Sequence, residues 1–246
     1  MGYGGPARPP REGVKPHHNR LIGSITCPRV QRVAIVLRAK GLPYDVEYLD
    51  LRRKPDWFRA IAPYGLVPVL EIAEGRFLFE SAAIAEYLEE AEAPRLHPEE
   101  PFARARHRGW IEGVDELHAA LRDIYFAEYR ADSGAARTDA LPQVRALERA
   151  LAHERADDGP WFAGSRFSMV DAAYAPTLQR FAFAETRMNT GLLDELPLTR
   201  AWIDTLLGSD LVTGALHPDF DSEFVRLLRR RDSWVWDRFR DLDPGG

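Results

Sequence analysis

The sequence predicts an α/β N-terminal domain followed by an all-α C-terminal domain. Two observations carry this. Residues 21–90 alternate runs of strand and helix period in the order β-α-β and then β-β-α, and beyond a proline-rich stretch only helical spacing occurs. Composition permits two modest cores, since 246 residues that are 45% hydrophobic and 29% charged suit an ordinary globular chain.

Leu21-Ile22-Gly23 reads as a short apolar strand, and Thr26-Cys27-Pro28 opens a helix. In that helix Val30, Val33, Ala34 and Leu37 share one face, which leaves Arg29, Arg32 and Lys40 to water. Gly41-Leu42-Pro43 ends it, because glycine suits a left-handed cap and proline cannot continue a helix. Residues 44–51 alternate as a strand with Tyr44, Val46 and Tyr48 inward. Strand, helix and strand together imply a parallel pair joined by a right-handed crossover. Residues 54–62 read as a short helix or turn, stopped by Pro63-Tyr64-Gly65. Residues 67–72 and Phe77-Leu78-Phe79 flank Glu74-Gly75 as a hairpin, and a second helix starts at Ser81, with Ile84 and Leu88 on one face. This order is that of a thioredoxin-like half.

Residues 91–101 hold three prolines among acids and read as a linker. The predicted organisation is therefore a tail over 1–20, a thioredoxin-like domain over 21–91, a linker over 92–101 and a helical domain over 102–246. Helical spacing covers residues 103–130, 143–154, 169–183, 198–207 and 222–231, and the small polar residues of 132–142 read as a loop. Ser168 and Asp171 form a capping box, assigned to folding. An apolar substrate pocket is expected between the domains, floored by Trp110, Leu117, Leu121 and Tyr125. Trp234, Trp236 and Phe239 either cap that pocket or anchor the last helix.

A net charge of -5 and a pI near 5.8 give no electrostatic case for nucleic acid or an anionic membrane. No apolar run approaches the roughly 20 residues of a membrane span. Residues 1–20 are rich in Gly, Pro, Arg and His, lack the apolar stretch of a secretory signal, and read as a disordered tail. The single cysteine excludes an internal disulfide and a Cys-rich zinc site, and fits a reducing cytoplasm. The seven histidines show no ligand spacing, so no metal site is indicated.

Cys27 follows a strand and begins a helix, where the positive end of the helix dipole and unpaired N–H groups favour a nucleophilic thiolate over an inert buried thiol. Val30 stands where a Cys-x-x-Cys motif has its second sulfur, so a mixed disulfide at Cys27 must be resolved by an external thiol such as glutathione. Pro68 suits a strand edge, or a cis Val67-Pro68 bond that turns the Val67 backbone toward a peptide ligand. Ser81 as an N-cap and Glu80 as a turn residue satisfy a helix start, and the same pair can bind a carboxylate and an amino group, both present on a γ-glutamyl unit. Ser24 is a turn residue or, in a conjugating enzyme, a group that positions the glutathione sulfur.

Thr26-Cys27-Pro28, Trp57-Phe58, Val67-Pro68-Val69-Leu70 and Phe79-Glu80-Ser81-Ala82, in this order over about seventy residues, resemble the N-terminal domain of the cytosolic glutathione transferases. Within that superfamily the likeness is to cysteine-type, omega-like enzymes. The resemblance implies the glutathione transferase fold, glutathione as co-substrate and a homodimer. It implies Cys27 as catalytic cysteine, Val67 as backbone partner of the cysteinyl unit, Glu80 with Ser81 as γ-glutamyl clamp and Lys54 near the glycyl carboxylate. Three activities are weighed: a thiol transferase or reductase working through Cys27, a transferase conjugating glutathione to an electrophile, and a non-catalytic binding protein of the same fold. The second substrate is a small hydrophobic molecule or a disulfide.

Overall fold

The computed structural model describes residues 18–243; the greater part of the tail assigned to 1–20 lies outside the described residues, and Asn19 and Arg20 belong to the first strand. The chain divides into two compact units, Met1–Arg95 and Leu96–Gly246.

The first unit runs β1 (Asn19–Gly23), α1 (Pro28–Ala39), β2 (Tyr44–Tyr48), α2 (Asp56–Ile61), β3 (Val69–Ala73), β4 (Arg76–Phe79) and α3 (Ser81–Ala91). The sheet order is β2-β1-β3-β4, with β1 and β2 parallel as the β-α-β pattern requires and the other pairs antiparallel. Side chains alternate across it. Ile22 pairs with Val69, and both pack against Phe58 and Ala62 at the α2 end of the chain. Arg20 lies on the same face, its Nε 2.7 Å from Glu71 Oε2, its Nη1 3.0 Å from Glu47 Oε2 and its guanidinium 5.8 Å from the Trp57 ring. One side chain thus links three strands and fixes their register. On the opposite face lies α1: a Cβ at Gly23 would come within 2.5 Å of Val30 Cγ1.

That close approach overturns one expectation. Every residue of α1 from Val30 to Leu37 is buried, Arg32 among them, and Lys40 is buried at its C-cap. The one-sided spacing argument fails because this helix is covered on more than the sheet face. Lys40 Nζ lies 2.8 Å from Glu89 Oε2 and 2.9 Å from the carbonyls of Glu92 and Pro94, so all three ammonium protons have acceptors. The pair joins the last turn of α1 to the last turn of α3.

The second unit runs α4 (Pro101–Glu112), α5 (Val114–Tyr125), α6 (Arg130–His153), α7 (Met169–Met188), α8 (Pro197–Leu207), α9 (Asp210–Thr213), α10 (Phe220–Arg230) and a terminal 3-10 helix (Trp236–Leu242). Residues 132–142, read as a loop, lie inside α6. Alanines at 131, 135, 136 and 140 are strong helix formers, and Ser133, Ala140, Val144, Leu147 and Leu151 form its buried stripe. The expected helix over 103–130 is two helices that meet at Gly113. The capping box is present: Asp171 Oδ2 accepts from Ser168 N–H at 2.8 Å, while Oδ1 accepts from Phe162 N–H at 2.9 Å and Trp202 Nε1–H at 2.7 Å. Burial pushes the Asp171 carboxyl up against the pull of these bonds. Leu117, Leu121 and Tyr125 are buried, with the Tyr125 ring edge-on to Phe224 at 5.6 Å, and belong to this unit's core. Phe239 stacks on Phe183 at 4.9 Å and anchors the terminal segment. Among the described residues no helix is long and apolar enough to cross a membrane.

Replacing Lys40 with Met strands the buried Glu89 carboxylate and two carbonyls, and should cost the first unit about 3–5 kcal/mol. Urea-unfolding midpoints check this: the Lys40→Met/Glu89→Leu double variant should recover most of the loss.

Candidate active site

Cys27 is the N-cap of α1, with extended backbone (φ -79°, ψ 119°) and Pro28 as the first helical residue. Its N–H donates to Ser24 O at 3.1 Å, closing a tight turn out of β1, and its own carbonyl accepts the first helical bond, from Gln31 N–H at 3.3 Å. The turn uses the Ser24 carbonyl, as a turn residue requires. The free thiol is half-buried and makes no capping hydrogen bond. No acidic side chain lies in the first turn, so the partial positive charge there is not offset locally. Val30 is buried one turn on, filling the position of a second sulfur. Such a site can form one bond from sulfur to an outside partner.

The Val67-Pro68 peptide bond is cis, the sharper of the two readings of Pro68. Val67 lies two residues before Val69, the first paired position of β3. Val67, Pro68 and Glu80 line one shallow, open cavity together with Ala62, Leu66 and Phe79.

Glu80, not Ser81, is the N-cap of α3, and Ser81 is its first residue. The reason is the lack of a loop: β4 ends at Phe79 and α3 begins at Ser81, so one residue must reverse the chain. Glu80 does so with φ 65°, in the left-handed region that a side chain enters at a cost of about 1–3 kcal/mol. The consequence is a division of labour. Ser81 is buried at 3% exposure, while the Glu80 side chain is exposed and does not cap the helix. An unspent carboxylate therefore sits beside the unpaired N–H groups of a helix start, an acceptor and a set of donors for a group bearing both charges.

Lys54 precedes α2, and its Nζ donates to Gly65 O at 2.7 Å. It is not among the residues lining the cavity. The structure thus groups Val67 and Glu80, with Ser81 adjoining, and places Lys54 against the loop that leads to Val67. Gly65 escaped the sequence reading as anything but a stop signal, although its left-handed φ of 60° and carbonyl acceptor make it part of this arrangement. Among the described residues no group of three or more His, Cys, Asp or Glu could hold a metal ion.

Glycine adopts φ 65° freely, so Glu80→Gly should raise stability by about 1 kcal/mol once its greater unfolded-state entropy is subtracted. Thermal unfolding checks this, since an ordinary surface glutamate replaced by glycine at a helix end would give no gain.

Two family models match the chain: "Glutathione S-transferase, N-terminal domain" over residues 26–91 and "Glutathione S-transferase, C-terminal domain" over 101–205. The chain is 30% identical to rat (Rattus norvegicus) glutathione S-transferase omega-1 over 181 residues, 73% of each protein. It is similar to the solved glutathione transferase Omega 3C of Trametes versicolor, with a TM-score of 0.74 and 26% identity, covering 88% of this chain and 92% of that one. A rice glutathione transferase solved in complex with glutathione shares the fold, with a TM-score of 0.75 and 24% identity over 88% of this chain and 99% of that one.

Proposed function

We propose that this chain, which belongs to the glutathione S-transferase family, is a thiol transferase that forms a mixed disulfide with glutathione at Cys27. Its omega-like relatives make it a glutathione-dependent transferase with glutathione as co-substrate. The finer reading rests on one observation: the only thiol caps α1 with its sulfur uncommitted, and Val30 occupies the place of a resolving cysteine.

In the first step the Cys27 thiolate attacks the glutathionyl sulfur of a mixed disulfide substrate. The substrate's S–S bond breaks, its thiol leaves with a proton from solvent, and a Cys27–glutathione disulfide forms. In the second step the thiolate of a free glutathione attacks that disulfide, oxidised glutathione leaves, and the Cys27 thiolate is restored. The substrate gains two electrons and two glutathione units are joined.

In this reading residues 21–91 bind glutathione and residues 102–246 hold the second substrate. The Val67 backbone pairs with the cysteinyl unit, as an extended peptide pairs with a free strand edge. The Glu80 carboxylate takes the α-amino group of the γ-glutamyl unit, and the Ser81 hydroxyl with the N–H groups of α3 takes its α-carboxylate. Lys54 faces the glycyl carboxylate. A cytoplasmic location supplies the reduced glutathione that a monothiol site requires. The omega-like resemblance supports a homodimer.

Cys27→Ser should lower glutathione-dependent disulfide reduction by about a hundredfold or more. Undiminished reduction would remove the proposal, and conjugation of an electrophile that persists in the variant while reduction is absent in the wild type would assign the site to conjugation.

A further inference from the structure

We infer that Lys54 is a positioning residue of the glutathione site, its ammonium holding the Gly65 carbonyl and so setting the segment that presents the Val67 backbone. The inference rests on the reading of Val67 as the backbone partner of glutathione.

Lys54 lies just before α2 and Gly65 just after it. With six residues α2 is too short to fix its own ends, its N-cap Pro55 contributes no side-chain hydrogen bond, and its C-cap Ala62 is already extended. The chain is anchored at Ala62 and again at Pro68 and Val69, all buried. Between them it has little apolar burial to hold it: Tyr64 is 70% exposed and Leu66 59% exposed. Two hydrogen bonds tie this stretch down. Gly65 N–H donates to Ala62 O at 2.8 Å, and Lys54 Nζ donates to Gly65 O at 2.7 Å.

The second bond is charge-assisted and joins the two sides of α2. Gly65 takes φ 60°, a conformation glycine enters without strain, and its carbonyl is the group Lys54 reaches. Leu66, Val67 and Pro68 follow at once and line the cavity that Glu80 shares. Without the ammonium, Gly65 loses the one side-chain hydrogen bond it makes among the described residues, and the approach to Val67 keeps the turn bond and the edge-on contact of Tyr64 with Phe79 at 6.0 Å.

An ammonium has three donors, so the bond to Gly65 leaves room for a carboxylate ligand. The two roles act on different parts of glutathione. A ligand role touches the glycyl end alone, whereas the positioning role acts at Val67 and is felt whether or not the glycyl carboxylate is charged.

Titration calorimetry of wild type, Lys54→Met and Lys54→Arg with glutathione and with its glycyl monoethyl ester separates them. Loss of one charge-assisted hydrogen bond should weaken binding about tenfold in Lys54→Met, for the ester as well as for glutathione, with partial rescue in Lys54→Arg. A Lys54→Met defect that vanishes with the ester, or no defect with either, overturns the inference. Wild-type protein that binds neither compound overturns the glutathione-site reading itself. Hydrogen exchange of the unliganded proteins supplies a second test, with Lys54→Gln in place of a variant that does not fold: amides 64–67 should exchange faster while those of β3 and α3 keep their rates. Unchanged exchange at 64–67 also overturns it.

Discussion

Helix α1 lies so close to β1 that no side chain fits at Gly23, where a Cβ would meet Val30 at 2.5 Å. This contact leaves only a four-residue turn between strand and helix, and the turn ends on Cys27. The lone thiol is therefore held at a helix start, where N–H groups have no backbone partners, and the wall one turn away is the isopropyl group of Val30. A glycine and a valine thus decide both where the thiol stands and that no second thiol can relieve it. The Lys40–Glu89 pair ties this helix to α3, and the Arg20 bridge locks three strands of the sheet together.

The other half of the candidate site is built by the same economy of chain. Where β4 passes into α3 a single residue makes the turn, and Glu80 bears the strained backbone that leaves its carboxylate unspent. Where α2 passes into β3 the segment is exposed and thinly packed, and one ammonium tethers it. The junctions carry the polar groups. The strands and helices behind them supply rigidity through Ile22, Val69, Phe58 and Ala62.

Much of this was legible in the residues because strand and helix periods differ and Gly and Pro punctuate them. The β-α-β and β-β-α order, the parallel pair and the Ser168–Asp171 box all follow from local rules that tertiary context did not override, while Pro68 was open between a strand edge and the cis bond it makes. What escaped depended on context. Lys40 and Arg32 looked solvated because spacing shows one apolar face and cannot show a helix enclosed on several sides. Residues 132–142 looked like a loop because small polar residues weigh against a helix until their alanines and the buried stripe are counted together. Ser81 looked like the cap because serine is a preferred cap and glutamate is not, yet the absence of a loop moved the turn one residue back. The partner of Lys54 is a backbone carbonyl eleven residues away, and no side-chain pattern announces it.

On the proposed mechanism the Cys27 sulfur, in the folded protein, exchanges disulfides with glutathione. Intact-protein mass spectrometry after incubation with oxidised glutathione tests it most directly. One added glutathionyl group is expected, mapped to Cys27 and removed again by reduced glutathione. A folded protein that stays unmodified, and takes up the group only after denaturation, would contradict it.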